Sequence, residues 1–464
     1  MRYISTRGDA APIAFDAVMT SALAPDGGLY MPETWPQLSA DEVKALATRT
    51  YPEAALQVLK RFTGDAIPLS DLYTAIIAAY RRFEAPEVAP LVDMGDGVHL
   101  LELFHGPTFA FKDVALQLLG RLMDWGLKKS GKRALIVGAT SGDTGTAAIE
   151  GLRGLASVGV VIMHPRGRTS PVQRKQMTTV MDANVRNLAI EGNFDDCQAI
   201  MKALFADASL AHYGLAAVNS INWARIAAQT VYYVTSAAKL GAPDRQIDFA
   251  VPTGNFGDIF AGYAAHRMSA FDGRLIVATN ENDILARTLA TGRYEPRGVV
   301  ETTSPSMDIQ VSSNFERLLF EAAGRDGAVV AGLMDDLKTK GHFDLTPVMR
   351  AFIAARFDAE RVTKDEAAAE IAAVYKASGM ILDPHSAIGL VAASRRKRAG
   401  VPIVALATAH PAKFAEAVKS AISVPPPMPA RLAALENLPE RYDTLPAETA
   451  AVKAYIEAFV SGNT

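Results

Sequence analysis

Lys112 stands in His105-Gly106-Pro107-Thr108-Phe109-Ala110-Phe111-Lys112-Asp113, where a helix-like run departs from an aromatic stretch. Two phenylalanines so close would desolvate an ammonium, lower its pKa and make a neutral, nucleophilic amine accessible. Moving a lysine from about 10.4 to about 7 costs roughly 4 to 5 kcal/mol, which covalent use of the amine removes. The competing reading is a lysine whose stem covers Phe109 and Phe111 while its head reaches water.

Two glycine-rich loops offer the second chemistry. Gly138-Ala139-Thr140-Ser141-Gly142-Asp143-Thr144-Gly145 lies between the strand-like run Leu135-Ile136-Val137 and a helical run through Ala147, Ala148 and Ile149. Thr253-Gly254-Asn255-Phe256-Gly257-Asp258 follows Phe249-Ala250-Val251 and precedes a helix from Ile259. Backbone N–H groups at a helix N-terminus attract anions, so the two loops predict two anion cradles, the first with hydroxyls from Ser141 and Thr144. Asp258 opposes an anion on charge grounds unless it supports its loop through backbone N–H groups. Either loop taken singly is also explained by glycine reversing the chain. Neither contains G-x-x-x-x-G-K-[ST] or a correctly placed G-x-G-x-x-G, which weakens the NTPase and dehydrogenase readings. Thr408 ends the run Ile403-Val404-Ala405-Leu406-Ala407. A hydroxyl there sits where open α/β sheets gather ligands, although a turn or cap also suits it.

The elements that must position these groups alternate. Val160-Val161-Ile162, Leu188-Ala189-Ile190 and Leu275-Ile276-Val277 join the runs above as short apolar strands between helical stretches. That rhythm predicts βαβ units and mostly parallel sheets with helices on both faces. Met1 to about Pro90 reads as a helical N-terminal region, and 324–399 as alanine-rich and helical, broken at Ile381-Leu382-Asp383-Pro384-His385-Ser386. The tail opens at Val424-Pro425-Pro426-Pro427 as an extended segment and ends in a short helix from Ala447.

The 464 residues, 49% of them hydrophobic, can bury several layers of core in two or three domains. A net charge of −3 with acids and bases interspersed argues against a nucleic-acid partner. The polar start and the lack of a long apolar run predict a cytoplasmic protein without membrane association. Cys197 is the single cysteine and the eight histidines lack metal-binding spacings, so neither an internal disulfide nor a bound metal is expected.

Taken in order, nine segments resemble the threonine synthases, pyridoxal-phosphate enzymes of the tryptophan-synthase-β fold type, in their longer microbial form. They are Tyr3-Ile4-Ser5-Thr6-Arg7-Gly8, Leu23-Ala24-Pro25-Asp26-Gly27-Gly28-Leu29-Tyr30, the lysine segment, both glycine loops, His164-Pro165 with Ser170-Pro171-Val172-Gln173, Val218-Asn219-Ser220-Ile221-Asn222-Trp223-Ala224-Arg225-Ile226, Asp383-Pro384-His385, and Ala407-Thr408-Ala409-His410-Pro411. The resemblance implies an α/β protein of pyridoxal-phosphate fold type II, with two open, mostly parallel sheets flanked by helices and a helical N-terminal region. It implies an N-terminal region at 1–95, a large cofactor domain from 96–133 with 246–424, a smaller α/β domain at 134–245, and a tail at 425–464.

By the same resemblance Lys112 is the Schiff-base lysine and proton shuttle. Gly254, Asn255, Phe256 and Gly257 hold the cofactor phosphate, Asp258 supports that loop, and Thr408 bonds the pyridine nitrogen. Ser141, Gly142 and Thr144 take the substrate carboxylate. Asp143 lies near the ring hydroxyl, where related members of the fold carry asparagine. Arg168, Ser220, Asn222 and Arg225 are nominated for substrate phosphate, since an arginine fork suits a dianion. Arg168 equally suits a solvated loop, and Asn222 and Arg225 equally suit capping and solvating a helix.

The implied reaction turns O-phospho-L-homoserine and water into L-threonine and phosphate, in a monomer or homodimer. A related lyase acting on serine or threonine, and a catalytically silent cofactor-binding homologue, are the alternatives.

Overall fold

The structure is a computed structural model that describes residues 1–462 apart from 22, 141 and 218. Among these residues the larger of two main sheets runs Phe357–Arg361, Leu275–Thr279, Asp248–Pro252, Ile403–Ala407, Val98–Glu102, Leu91–Gly95. Its neighbours are parallel except for the last pair. Three of its four inner strands, Leu275–Thr279, Asp248–Pro252 and Ile403–Ala407, are buried at every position, so their centres read in sequence as apolar runs.

The second sheet runs Asp443–Pro446, Val185–Glu191, Val158–Pro165, Ala134–Ala139, Leu215–Ala216, and is parallel throughout. Its outer strand comes from the tail. The closing helix Thr449–Val460 then buries Val452 and Ile456 against Cys197, Ile200 and Leu204. Cys197 is therefore a core residue, and burial pushes its thiol up to about 11.

Two regions differ from the pattern read in the sequence. The N-terminal region holds the expected helices Tyr51–Thr63 and Leu69–Tyr80, but also an antiparallel sheet of Ile13–Ala14, Arg2–Ser5 and Tyr30–Pro32. Arg2–Ser5 alternates, with Tyr3 and Ser5 buried, a two-residue period too short to stand out. The alanine-rich stretch contains the strand Phe357–Arg361, whose mixed polar composition fits an edge position.

This frame brings the chemistry to one place. Asp248–Pro252 and Ile403–Ala407 are adjacent parallel strands, so the second glycine loop and Thr408 leave the same sheet end side by side. The Phe111 N–H donates to the Thr408 carbonyl at 2.8 Å and Ala110 bridges Ala409, which sets the start of helix Lys112–Ser130 against that end. Helix Lys112–Ser130 packs closely on helix Asp143–Leu152: a Cβ on Gly120 would lie 2.3 Å from the Gly151 carbonyl oxygen. Glycine at that crossing lets the first loop approach Lys112.

Candidate active site

Lys112 is the first residue of its helix and only 9% exposed, which decides against a lysine reaching water. Its Nζ lies 4.8 Å from the Phe111 ring centroid and 3.5 Å from Asp143 Oδ2. Burial drives its pKa down, Lys413 and Arg225 push the same way, and Asp143 opposes them. Phe109 does not share the lysine stem; it packs on Ala412 and Leu432. Phe109 and Phe256 both take φ near 60°, unusual for bulky residues, and each sits at a turn into a site helix.

Asp143 opens its helix with both oxygens engaged. Oδ1 accepts from Gln173 Nε2 at 2.8 Å and meets Lys413 Nζ at 2.7 Å, while Oδ2 faces Lys112. Burial alone would raise its pKa, but Lys413 and Lys112 outweigh that and hold it well below the usual carboxylate range. Lys413 is itself buried and also donates to the Thr108 carbonyl at 2.8 Å. A Cβ on Gly142 would come 2.4 Å from Gln173 Oε1, so the bare backbone there makes room for that contact.

The second loop is braced from outside by 306–314. Ser312 Oγ donates to the Gly254 carbonyl at 2.7 Å, Asn314 donates twice to the Asn255 carbonyl, and a Cβ on Gly254 would lie 2.9 Å from the Ser306 carbonyl. Those contacts use the loop's carbonyls, and the first N–H groups of helix Gly257–Arg267 have no partner within the helix. Asp258 accepts at Oδ1 from Tyr232 at 2.5 Å and Tyr233 at 2.9 Å. It thus ties its helix to helix Trp223–Lys239 through side chains, where the sequence pointed to the loop's own N–H groups. Its Oδ2 is buried without a partner among the described residues, and burial pushes the carboxyl up to about 6.

Lys112, Asp143, Thr144, Ser220, Arg225, Gly254, Asn255, Phe256, Gly257, Asp258 and Thr408 line one cavity. Arg225 is buried there, with Nε and Nη1 unpartnered among the described residues, and burial lowers its pKa to about 10. Gly142, Arg168 and Asn222 do not line it. Arg168 is exposed on a turn, and Asn222 caps helix Trp223–Lys239 by accepting from the Ala224 N–H at 2.9 Å while donating to the Met19 carbonyl at 2.8 Å. Ser141 lies outside the described residues.

Three participants were not singled out from the sequence. Lys413 and Gln173 hold Asp143, and His385 lines the cavity with Nδ1 2.7 Å from Asp383 Oδ1 and Nε2 unpartnered among the described residues. The available signals were Gln173 beside Ser170-Pro171, His385 beside Asp383-Pro384, and Lys413 shortly after Thr408.

A phosphate ester carrying an aldehyde and a pyridine ring fits this set. The N-terminus of helix Gly257–Arg267 faces the cavity and attracts an anion, a buried amine can bond a carbonyl carbon, and a hydroxyl ends the adjacent strand. Two mostly parallel α/β sheets around that cavity define a pyridoxal-phosphate enzyme of fold type II.

Family descriptions cover most of the chain: "Threonine synthase N terminus" at 2–80, "Pyridoxal-phosphate dependent enzyme" at 83–336, and "Threonine synthase, C-terminal" at 386–456. The threonine synthase of Pseudomonas aeruginosa is 50% identical over 459 residues, 98% of each chain, and that of Saccharomyces cerevisiae 43% identical over 457 residues, 91% of this chain and 89% of its own. The crystal structure of pyridoxal-phosphate-bound threonine synthase from Brucella melitensis superposes with TM-score 0.97 at 52% identity over 99% of each chain. The chain belongs to the threonine synthase family, and pyridoxal phosphate is its cofactor. A tomato threonine deaminase, at 14% identity and TM-score 0.52, shares the fold alone. Among the described residues no helix is long and apolar enough to cross a membrane.

Proposed function

We propose that the chain's substrate is O-phospho-L-homoserine, from which phosphate leaves Cγ and to which water adds at Cβ, giving L-threonine and phosphate. The observation that carries this reading is Arg225, a buried guanidinium with two unfilled donors in the cavity that holds Lys112 and the second loop. A substrate bearing its own phosphate needs such a cation beyond the cofactor's cradle.

Pyridoxal phosphate, when bound, supplies an electron sink that makes protons at substrate Cα and Cβ removable. Gly254, Asn255, Phe256 and Gly257 hold its phosphate at the N-terminus of helix Gly257–Arg267, with Asp258 fixing that helix through the two tyrosines. Thr408 would give the pyridine nitrogen a hydroxyl partner, which would hold its proton less firmly than a carboxylate. Asp143 would stand near the ring hydroxyl. Thr144, with Ser141, receives the substrate carboxylate, and Arg225 with Ser220 receives its phosphate; Gly142, whose N–H donates to Thr140 Oγ1 at 3.0 Å, shapes that loop instead. Arg168, exposed on its turn, and Asn222, spent on its cap, are left out of this assignment.

Lys112 Nζ, desolvated and with its pKa lowered by burial, takes the proton from Cα in its unprotonated form and returns protons later in the sequence. In the proposed division, the unit of 96–133 with 246–424 carries Lys112, the second loop and Thr408. The unit at 134–245 carries the first loop and Arg225, so substrate is held between them.

The test is phosphate release measured together with threonine formation from O-phospho-L-homoserine by the cofactor-loaded chain. Equal amounts of both are expected. Release of 2-oxobutanoate from threonine, with no phosphate from phosphohomoserine, would replace this reading with a dehydratase. Normal cofactor loading with no turnover would replace it with a silent homologue.

A further inference from the structure

Asp143 meets two lysines, one on each oxygen, and the two contacts are unequal. Lys413 Nζ is 2.7 Å from Oδ1, whereas Lys112 Nζ is 3.5 Å from Oδ2. Gln173 shares Oδ1 with Lys413 at 2.8 Å, and Lys413 is anchored a second time by the Thr108 carbonyl at 2.8 Å. The Lys413 side chain is fully buried, a costly place for an ammonium that has no task.

A buried carboxylate needs a cation. Were Lys112 the sole cation near Asp143, attraction would draw its ammonium into a tight pair, and a protonated amine can neither bond a carbonyl carbon nor accept a proton. We propose that Lys413 is the resident counterion of Asp143, a positioning residue that keeps this carboxylate charged and satisfied so that Lys112 is left free as a neutral amine.

The proposal rests on Lys112 being the bond-forming amine, and goes further by naming what frees it. The other charged groups acting on Lys112 are Arg225, which repels its ammonium, and Asp258, which attracts it. Around Lys413 stand Asp113, whose carboxyl is braced by the Thr108 N–H at 2.7 Å and hydroxyl at 2.9 Å, and His410, driven down to about 4 by burial. Asp113 is buried on the helix that Lys112 opens, and burial pushes it up to about 6, so it is a weaker rival for Lys413 than Asp143.

The measurement is the pH dependence of Lys112 reductive methylation by formaldehyde and cyanoborohydride in the full-length chain stripped of cofactor, read by peptide mass spectrometry. In the parent, Lys112 should react at lower pH than exposed lysines. If it does not, the reading of Lys112 as the bond-forming amine fails, separately from the role given to Lys413.

With Lys413→Met the midpoint should rise, with roughly tenfold slower labelling at fixed pH for each unit gained. Lys413→Arg should keep the parental midpoint. The double variant Asp143→Asn/Lys413→Met, which removes the anion and its counterion together, should return towards the parent. Asp143→Asn alone should lower the midpoint, and it keeps the test decisive if Lys413→Met does not fold. The loaded enzyme should show the same order in the alkaline shift of the rising limb of kcat. A Lys413 that merely supports packing would lower the melting temperature without moving either profile. An unmoved or lowered midpoint in Lys413→Met, or an unmoved or raised one in Asp143→Asn, would overturn the proposal.

Discussion

Asp143 and Asp258 invite comparison because their settings match and their charges do not. Each stands at the start of a helix that follows a glycine-rich loop, each is buried, and each lines the same cavity. Asp143 is held well below the usual carboxylate range, while Asp258 is pushed up to about 6. Burial raises both, so burial does not divide them. The difference lies in the partners: two lysines and an amide for Asp143, two neutral tyrosine hydroxyls and a more remote Lys112 for Asp258. One loop thus presents a fixed anion beside the amine. The other presents a carboxyl that yields its charge easily, and a phosphate entering that cradle would raise it further. The awkwardness of an aspartate beside a phosphate site is thereby lessened.

Lys112 acts on both carboxylates, so its removal should disturb the comparison most. Lys112→Ala should lower threonine formation by more than about a thousandfold, measured as phosphate release, and Asp258 should then titrate higher while Asp143 keeps Lys413. Arg225→Met removes the buried guanidinium that lines the cavity and acts on Lys112. It should weaken the phosphate-bearing substrate about a hundredfold, the loss of one or two hydrogen bonds to charge, read from KM.

The third prediction opposes the two carboxylates directly. Asp258 has a raised folded-state pKa, so its stabilising contribution is full below its ordinary value of 3.8 and is lost as pH rises through about 6. Asp143 has a lowered one, so its contribution is present above that ordinary value and is lost as pH falls below it. Urea titrations should therefore show parent-minus-variant stability falling with pH for Asp258→Asn, by on the order of 2 kcal/mol between about pH 4 and pH 6.5. For Asp143→Asn the difference should rise with pH, mostly below about pH 4. The smallest effect belongs to Gly254→Ala. Its Cβ would press on the Ser306 carbonyl at 2.9 Å and should weaken cofactor binding by about 1 kcal/mol.

What could be read from the sequence follows the same division between local and distant causes. Strands buried on both faces, such as Ile403–Ala407, announce themselves as apolar runs. Val98–Glu102 and Leu91–Gly95 mix apolar with polar residues and are only partly buried, and Asp443–Pro446 closes the second sheet from the far end of the chain, so none makes a clear apolar run. Lys112 and both glycine loops are local patterns with local meaning. Lys413 looks like any helical lysine until folding brings it to Asp143, 270 residues earlier. Asn222 shows the converse: a polar residue in a family-like segment whose side chain is spent on its own helix end.

The most direct measurement is carboxyl-region infrared difference spectroscopy across pH, with Asp143→Asn and Asp258→Asn assigning the two bands. Asp258 should change from neutral to ionised with a midpoint near 6, while Asp143 should stay a carboxylate at every pH where the chain is folded. A neutral Asp143 band near pH 7, or an Asp258 band still ionised at about pH 4, would contradict this assignment.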